Sequence, residues 1–214
     1  MSQSPHQVVA SDVAADYTNA WDQITRWTEE GRGWSGHERN SFFLNTKDGR
    51  FADASSVFGW DCADDGRGIA TTDWDHDGDL DVWTTARSAP RVRLLRNDYV
   101  TDANRKASHF LSVKLAGVTD NRDAVGARIV VELQKHGKAT RLTKTIRAGE
   151  GFLSQHSKRI HFGLGDHDAK VDVTIRWPSG ETQTYQDLLP DNHYDFVQGQ
   201  AQATAWIRPS PATA

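Results

Sequence analysis

Val13, Tyr17, Trp21, Ile24 and Trp27 recur at spacings of four, four, three and three. That period places them on one face of a helix over residues 12–30. Ser11 or Asp12 can cap its start, and Gly31 suits its end. The aromatic stripe reads as a packing face, with a lid over a ligand pocket as the alternative. Beyond Gly31 the texture changes to short apolar runs separated by Gly, Asp and Pro. Residues 41–45 precede the turn Lys47-Asp48-Gly49-Arg50, and residues 68–74, 80–84 and 92–96 follow. In this order they predict a four-stranded antiparallel meander. Such a sheet has two faces to cover, one expected to go to the helix and the other to the C-terminal half.

Residues 98–108 are polar and aperiodic and mark a domain boundary. After them the alternation is of period two: Leu111, Val113 and Leu115; Val125, Ala127, Ile129, Val131 and Leu133; Val171, Val173, Ile175 and Trp177. Asp172, Thr174 and Arg176 make one face of that last segment wet. Trp177-Pro178-Ser179-Gly180-Glu181 predicts a tight turn, since Pro presets φ at one corner and Gly relieves another. With residues 140–147, 159–164, 182–185 and 193–197, about seven strands and no helix result, which predicts an antiparallel β-sandwich. The expected organisation is therefore mainly β: an N-terminal helical segment (1–39), a blade-like sheet (40–98), a β-sandwich (109–198) and a loose Ala-, Gln- and Pro-rich tail (199–214), with Trp206 and Ile207 available to dock.

Composition narrows the function. The chain of 214 residues is 37% hydrophobic and 25% charged, with eight Trp and eight Phe, enough for a packed core. Cys62 is the lone cysteine, so neither an intrachain disulfide nor a CxxC zinc site is available. No run approaches the roughly 20 apolar residues of a membrane span. Residues 1–10 lack a basic start and an apolar core, so no secretory signal is read and a cytoplasmic location is the default expectation. Lys and Arg total 25 against 29 Asp and Glu, a net charge of −4. The imbalance is local: residues 1–81 hold 16 acids and 6 bases, whereas residues 122–159 hold 9 bases and 3 acids. The basic stretch has Phe152 as its only aromatic, too little for a base-stacking platform. It is expected to be an exposed sheet face, and nucleic-acid binding is not predicted.

The sharpest chemical signal is Asp73-Trp74-Asp75-His76-Asp77-Gly78-Asp79-Leu80-Asp81. Carboxylates on alternate residues repel one another in a compact loop unless a divalent ion neutralises them. Oxygen donors at positions one, three and five, with Gly at six, describe a calcium loop; magnesium prefers a smaller octahedral cage. An EF-hand would need Glu at position twelve and a following helix. That position is Thr84, and a strand follows instead. Calcium is thus expected on the side chains of Asp73, Asp75, Asp77 and Asp81 and on the carbonyl of Asp79, whose own side chain would point outward. His76 is expected at the surface, away from the ion.

No GxSxG, Walker, HExxH or dinucleotide motif is present. Gly149-Glu150-Gly151 reads as a tight turn. The ionisable clusters His37-Glu38-Arg39 and Asp64-Asp65-Gly66-Arg67, and the residues Glu150, His156 and His161, become acid–base candidates only if the fold gathers them. Asn121-Arg122-Asp123 is expected to build a turn through side-chain to backbone bonds, with Arg128 available for an ion pair.

The run from Ser41-Phe42-Phe43-Leu44-Asn45 through Gly49-Arg50-Phe51, Asp65-Gly66-Arg67-Gly68 and the Asp loop to Leu94-Leu95-Arg96-Asn97 resembles an FG-GAP/VCBS repeat, the blade of calcium-bearing β-propellers. Asn121 to Arg128, Gly149-Glu150-Gly151-Phe152-Leu153-Ser154-Gln155, His161-Phe162-Gly163-Leu164-Gly165 and Arg176-Trp177-Pro178-Ser179-Gly180 resemble the ASPIC/UnbV domain. That domain follows such repeats in bacterial proteins and in the cartilage acidic protein-like family. The resemblance implies calcium binding, adhesion-like interaction with a protein or small molecule, and relatives that are often exported. One repeat cannot close a propeller ring, so functions of a full propeller do not carry over. Self-association through the blade edge is a further expectation. UnbV relatives beside secondary-metabolite genes imply an alternative, a small calcium-dependent cyclase or other tailoring enzyme. Its apolar pocket would be lined by Trp21, Trp27, Trp34, Trp60 and Trp74.

Overall fold

In a computed structural model of the chain, residues 13–30, 39–87, 89–99, 108–135 and 137–206 are described. The chain divides into two units, residues 1–66 with 86–90, and residues 67–85 with 91–214. Caps expected at Ser11, Asp12 and Gly31, together with Trp34, His37, Glu38 and Ile207, lie outside the described residues.

In the first unit the helical period is realised as α1 (Val13–Glu29). Its stripe does not become a packing face within the unit: Tyr17, Trp21 and Trp27 remain exposed, with Tyr17 meeting Trp21 edge-on. Residues 41–45 do not join a four-stranded meander. The turn after them folds locally, Thr46 N–H donating to the Arg50 carbonyl at 3.1 Å and Arg50 N–H to Asp48 at 3.1 Å. That closes a two-stranded hairpin of β1 (Phe43–Asn45) and β2 (Phe51–Asp53). The blade-like sheet is consequently three-stranded, built from β3 (Gly66–Thr72), β4 (Asp81–Ala86) and β5 (Val92–Leu95). A short asparagine- and aspartate-rich turn captured the nearest downstream segment before a distant one could pair.

The second unit contains the sandwich. One sheet runs in the order β11 (Thr182–Leu188), β10 (Val171–Arg176), β7 (Arg128–Lys135), β8 (Lys138–Thr145). The other runs β13 (Thr204–Trp206), β12 (Asn192–Val197), β6 (His109–Ala116), β9 (Ile160–Gly165). Alternation delivers the core as expected. Leu111, Val113, Ile129, Val131, Val173, Ile175, Phe162, Phe196 and Trp177 are buried in a single cluster. Asp172, Thr174 and Arg176 face outward, away from it. The turn after Trp177 closes with Gly180 N–H on the Trp177 carbonyl at 2.9 Å and Gly180 at φ 92°. Asn121 builds its turn by bonding Val125 in both directions. Asp123 pairs with Lys158 instead of the expected Arg128.

Two features depart from a simple antiparallel sandwich. β12 lies parallel to β6, a pairing made possible by the long excursion of the chain through the other sheet between them. Residues 204–206, expected in a loose tail, form β13 and pair with β12, His193 opposite Trp206. That pairing covers an edge of β12 that would otherwise be unsatisfied.

β6 also breaks its own pattern, since Phe110 and Ser112 are as buried as Leu111 and Val113. Its outer face is covered by the loop between β3 and β4. Gly78 (φ +99°) sits so close to Phe110 that an added Cβ would lie 2.2 Å from the ring. Gln198 closes the opposite end: its buried Oε1 accepts the N–H groups of Val118, Thr119 and Asp120 at 3.0–3.2 Å, while its amide donates to Asp120 at 2.8 Å.

Two substitutions report on these contacts. Gln198→Ala removes the acceptor of three part-buried donors and is expected to lower unfolding free energy by roughly 1–3 kcal/mol in urea titration. Gly78→Ala combines positive-φ strain with a clash and is expected to cost about 2–3 kcal/mol. Adding Phe110→Ala relieves the clash, so the double variant should lose less than the sum of the two singles.

Candidate metal centre and adjoining groove

The Asp loop is shaped from within. Asp77 accepts the N–H of Asp79 at 3.0 Å, and His76 (φ 59°) and Gly78 turn the backbone through the left-handed region. Asp81, fully buried, accepts Trp74 N–H and Asn97 N–H, both at 2.8 Å. It therefore ties the start of the loop to the residue two places beyond the end of β5. Each of its oxygens keeps a second lone pair for another partner.

Asp73, Asp75 and Asp81 converge so that one oxygen from each lies within 4.8 Å of the others. The Asp73 side chain is only 7% exposed, and among the described residues no donor meets either of its oxygens in full hydrogen-bond geometry, the N–H groups of Gly78 and His76 pointing toward it without completing a bond; Asp75 Oδ1 is likewise buried and unpartnered. Burial, with the Asp77 charge next, pushes the Asp73 carboxyl up to about 6; the backbone N–H groups of Gly78 and His76 offset part of that rise. Burying an unpaired carboxylate is costly; the cost falls when the group takes up a proton or a positive charge lies beside it.

A nearby side chain does not supply that charge. His193 Nε2 lies 3.7 Å from Asp73 Oδ2, too far for a hydrogen bond. Desolvation, followed by the Arg159 charge, holds His193 down at about 4, so the imidazole is neutral at pH 7. His76 is exposed as expected, yet it packs on Trp206 at 4.7 Å and His193 at 5.7 Å between ring centroids, and Asp73, His76 and His193 make a second potential ligand group. Asp79 departs from expectation. Its side chain is not outward, and the residue is 6% exposed, because the neighbouring Gly78 is pressed onto Phe110.

His193 and Trp206 were not singled out by motif. The one legible signal was Phe110, an aromatic out of phase with the alternation of β6, which marks a covered outer face. Register does the rest: Ser112 lies between His161 on β9 and His193 on β12, and Trp206 lies opposite His193 on β13.

The same unit holds a groove of ≈ 470 Å³ whose lining includes Thr71, Leu80, Lys144, Glu150, His156 and His161. Three of the acid–base candidates are thus gathered in one place. Thr71 N–H donates to His156 Nδ1 at 3.0 Å, which leaves the ring proton on Nε2. His161 stacks on Phe110, and burial holds it down at about 4. Among the described residues no Trp, Phe or Tyr lines this groove. Of the tryptophans expected around a pocket, Trp21 and Trp27 are exposed on α1, Trp60 stacks on Phe42, and Trp74 meets Trp83 edge-on. Among the other candidates, Arg39 is paired with Asp61 at 2.5 Å, and Asp64 and Asp65 are buried in the first unit.

Among the described residues no helix is long and apolar enough to cross a membrane. No curated protein matches the chain. A solved structure of a candidate cell-adhesion protein from Bacteroides ovatus is similar at 10% identity and a TM-score of 0.31, over 82% of this chain and 100% of that one. Residues 117–203, the stretch from the end of β6 to the approach to β13, match the ASPIC and UnbV family.

Proposed function

We propose that the chain is a calcium-binding interaction module whose ion is structural. One observation carries this: Asp73 is buried with both oxygens unpartnered, at the point where Asp75 and Asp81 converge. Three hard oxygen donors with no thiol among them suit calcium. Asp73, Asp75 and Asp81 would hold the ion, which supplies the countercharge that His193 lacks. Asp77 shapes the turn through its bond to Asp79. The FG-GAP/VCBS resemblance of the surrounding run supports the same ion. An interaction role is supported by the first unit, where Phe43, Leu44, Phe51, Val57 and Phe58 stay exposed around the β1–β2 hairpin.

Because an ion that binds only the folded chain adds its binding free energy to stability, calcium at a hundredfold excess over its Kd should stabilise by about 2.7 kcal/mol. Differential scanning calorimetry with calcium chloride and with excess chelator reads this directly. An unchanged Tm sinks the proposal. Asp73→Asn separates a ligand from a merely structural acid. Removing the unpaired charge should raise the metal-free Tm, by on the order of 1–2 kcal/mol of stability at pH 7, while abolishing the calcium increment. A third arm uses zinc. If zinc raises Tm where calcium does not, and His193→Ala removes that response, the ion belongs to Asp73, His76 and His193 and calcium is the wrong metal.

A further inference from the structure

Lys144 lies on β8, two residues from Leu142, and so shares the face by which Leu142 packs on the core. Its Nζ sits over the Phe162 ring, 5.6 Å from the centroid. β8 is an edge strand, and a lysine on it discourages pairing with other chains. That role needs no donors nearby, but the groove provides them: His156 with its Nε2 proton, and the Ser157 hydroxyl.

Both arginines that line the groove have carboxylate neighbours. Arg159 is engaged with Asp195 at 2.5 Å, and Arg147 lies 3.9 Å from Glu150. Lys144 makes no ion pair among the described residues. A cation without an ion pair, which the Glu150 charge reaches only at longer range, suits a singly charged anion better than a doubly charged phosphate. Leu80 and Ile160 add apolar wall. A volume of ≈ 470 Å³ falls within the range of small-molecule sites. Partial desolvation lowers the Lys144 pKa, and burial holds His161 down at about 4, so His161 does not compete with the lysine for the anion.

We propose that this groove binds a small organic carboxylate, the carboxylate held by Lys144 and His156 and the apolar body lying on Leu80 and Ile160. The groove adjoins the Asp loop through Leu80, but Lys144 and His156, which hold the carboxylate, are not among the residues that would hold the ion.

Benzoate is a suitable probe, with benzamide as its neutral isostere and inorganic phosphate as the doubly charged competitor. Titration into the full chain in calcium-containing buffer is followed by NMR of the Lys144 side chain and the His156 ring. Benzoate is expected to shift both saturably, benzamide neither, and phosphate more weakly than benzoate. Lys144→Met should weaken benzoate roughly tenfold or more, and Lys144→Arg should largely retain it. Were the Met variant to melt early, Lys144→Gln provides a second removal of the charge. Equal binding of benzoate and benzamide, tighter binding of phosphate, the absence of a saturable shift, or benzoate affinity unchanged in a folded Lys144→Met variant each overturns the proposal.

Discussion

Phe110 is the contact on which the second unit depends. It is an apolar ring at an outward position of β6, and Gly78 of the Asp loop lies flat against it, where a side chain could not. A three-stranded sheet cannot bury much surface alone, and the outer face of a sandwich is ordinarily wet. Joining the two solves both problems. Phe110, Ser112 and His193 become buried, and the loop gains a floor.

Electrostatic consequences follow from that geometry. The floor is made of neutral groups, a phenyl ring and an imidazole held unprotonated by its own burial. An aspartate pressed toward such a floor loses water and receives no charge in exchange. Asp73 is therefore a different kind of acid from Asp81, although both come from the same alternating run. Asp81 is buried and satisfied by two backbone N–H groups, which makes it an architectural tie. Asp73 is buried without a hydrogen-bond partner among the described residues, which makes the loss of its hydration costly. Loop and sandwich together create a property that belongs to neither.

Much of the sandwich was legible in the sequence because period two and the burial of one face are the same fact stated twice. Val171 to Trp177 and Leu111 to Leu115 behaved as their alternation required. The first half was less legible. Strands of three residues carry almost no periodic signal, so β2 went unread and the hairpin was mistaken for part of a longer meander. The aromatic stripe of α1 shows the opposite hazard: a clear helical period identified the helix but not what, if anything, its face would meet within the unit.

By itself the sequence determined the kinds of element, the core of the sandwich, the tight turns and the chemistry concentrated between Asp73 and Asp81, since all of these arise from contacts between near neighbours. Only the tertiary structure decided which aspartates are satisfied, that His193 and Trp206 from the far end of the chain face the loop, and that Glu150, His156 and His161 share a groove with Lys144. Burial and countercharge are set by whatever packs across from a residue. In a sandwich whose seventh strand lies parallel beside its first, that partner comes from some eighty residues away, beyond the reach of any local pattern.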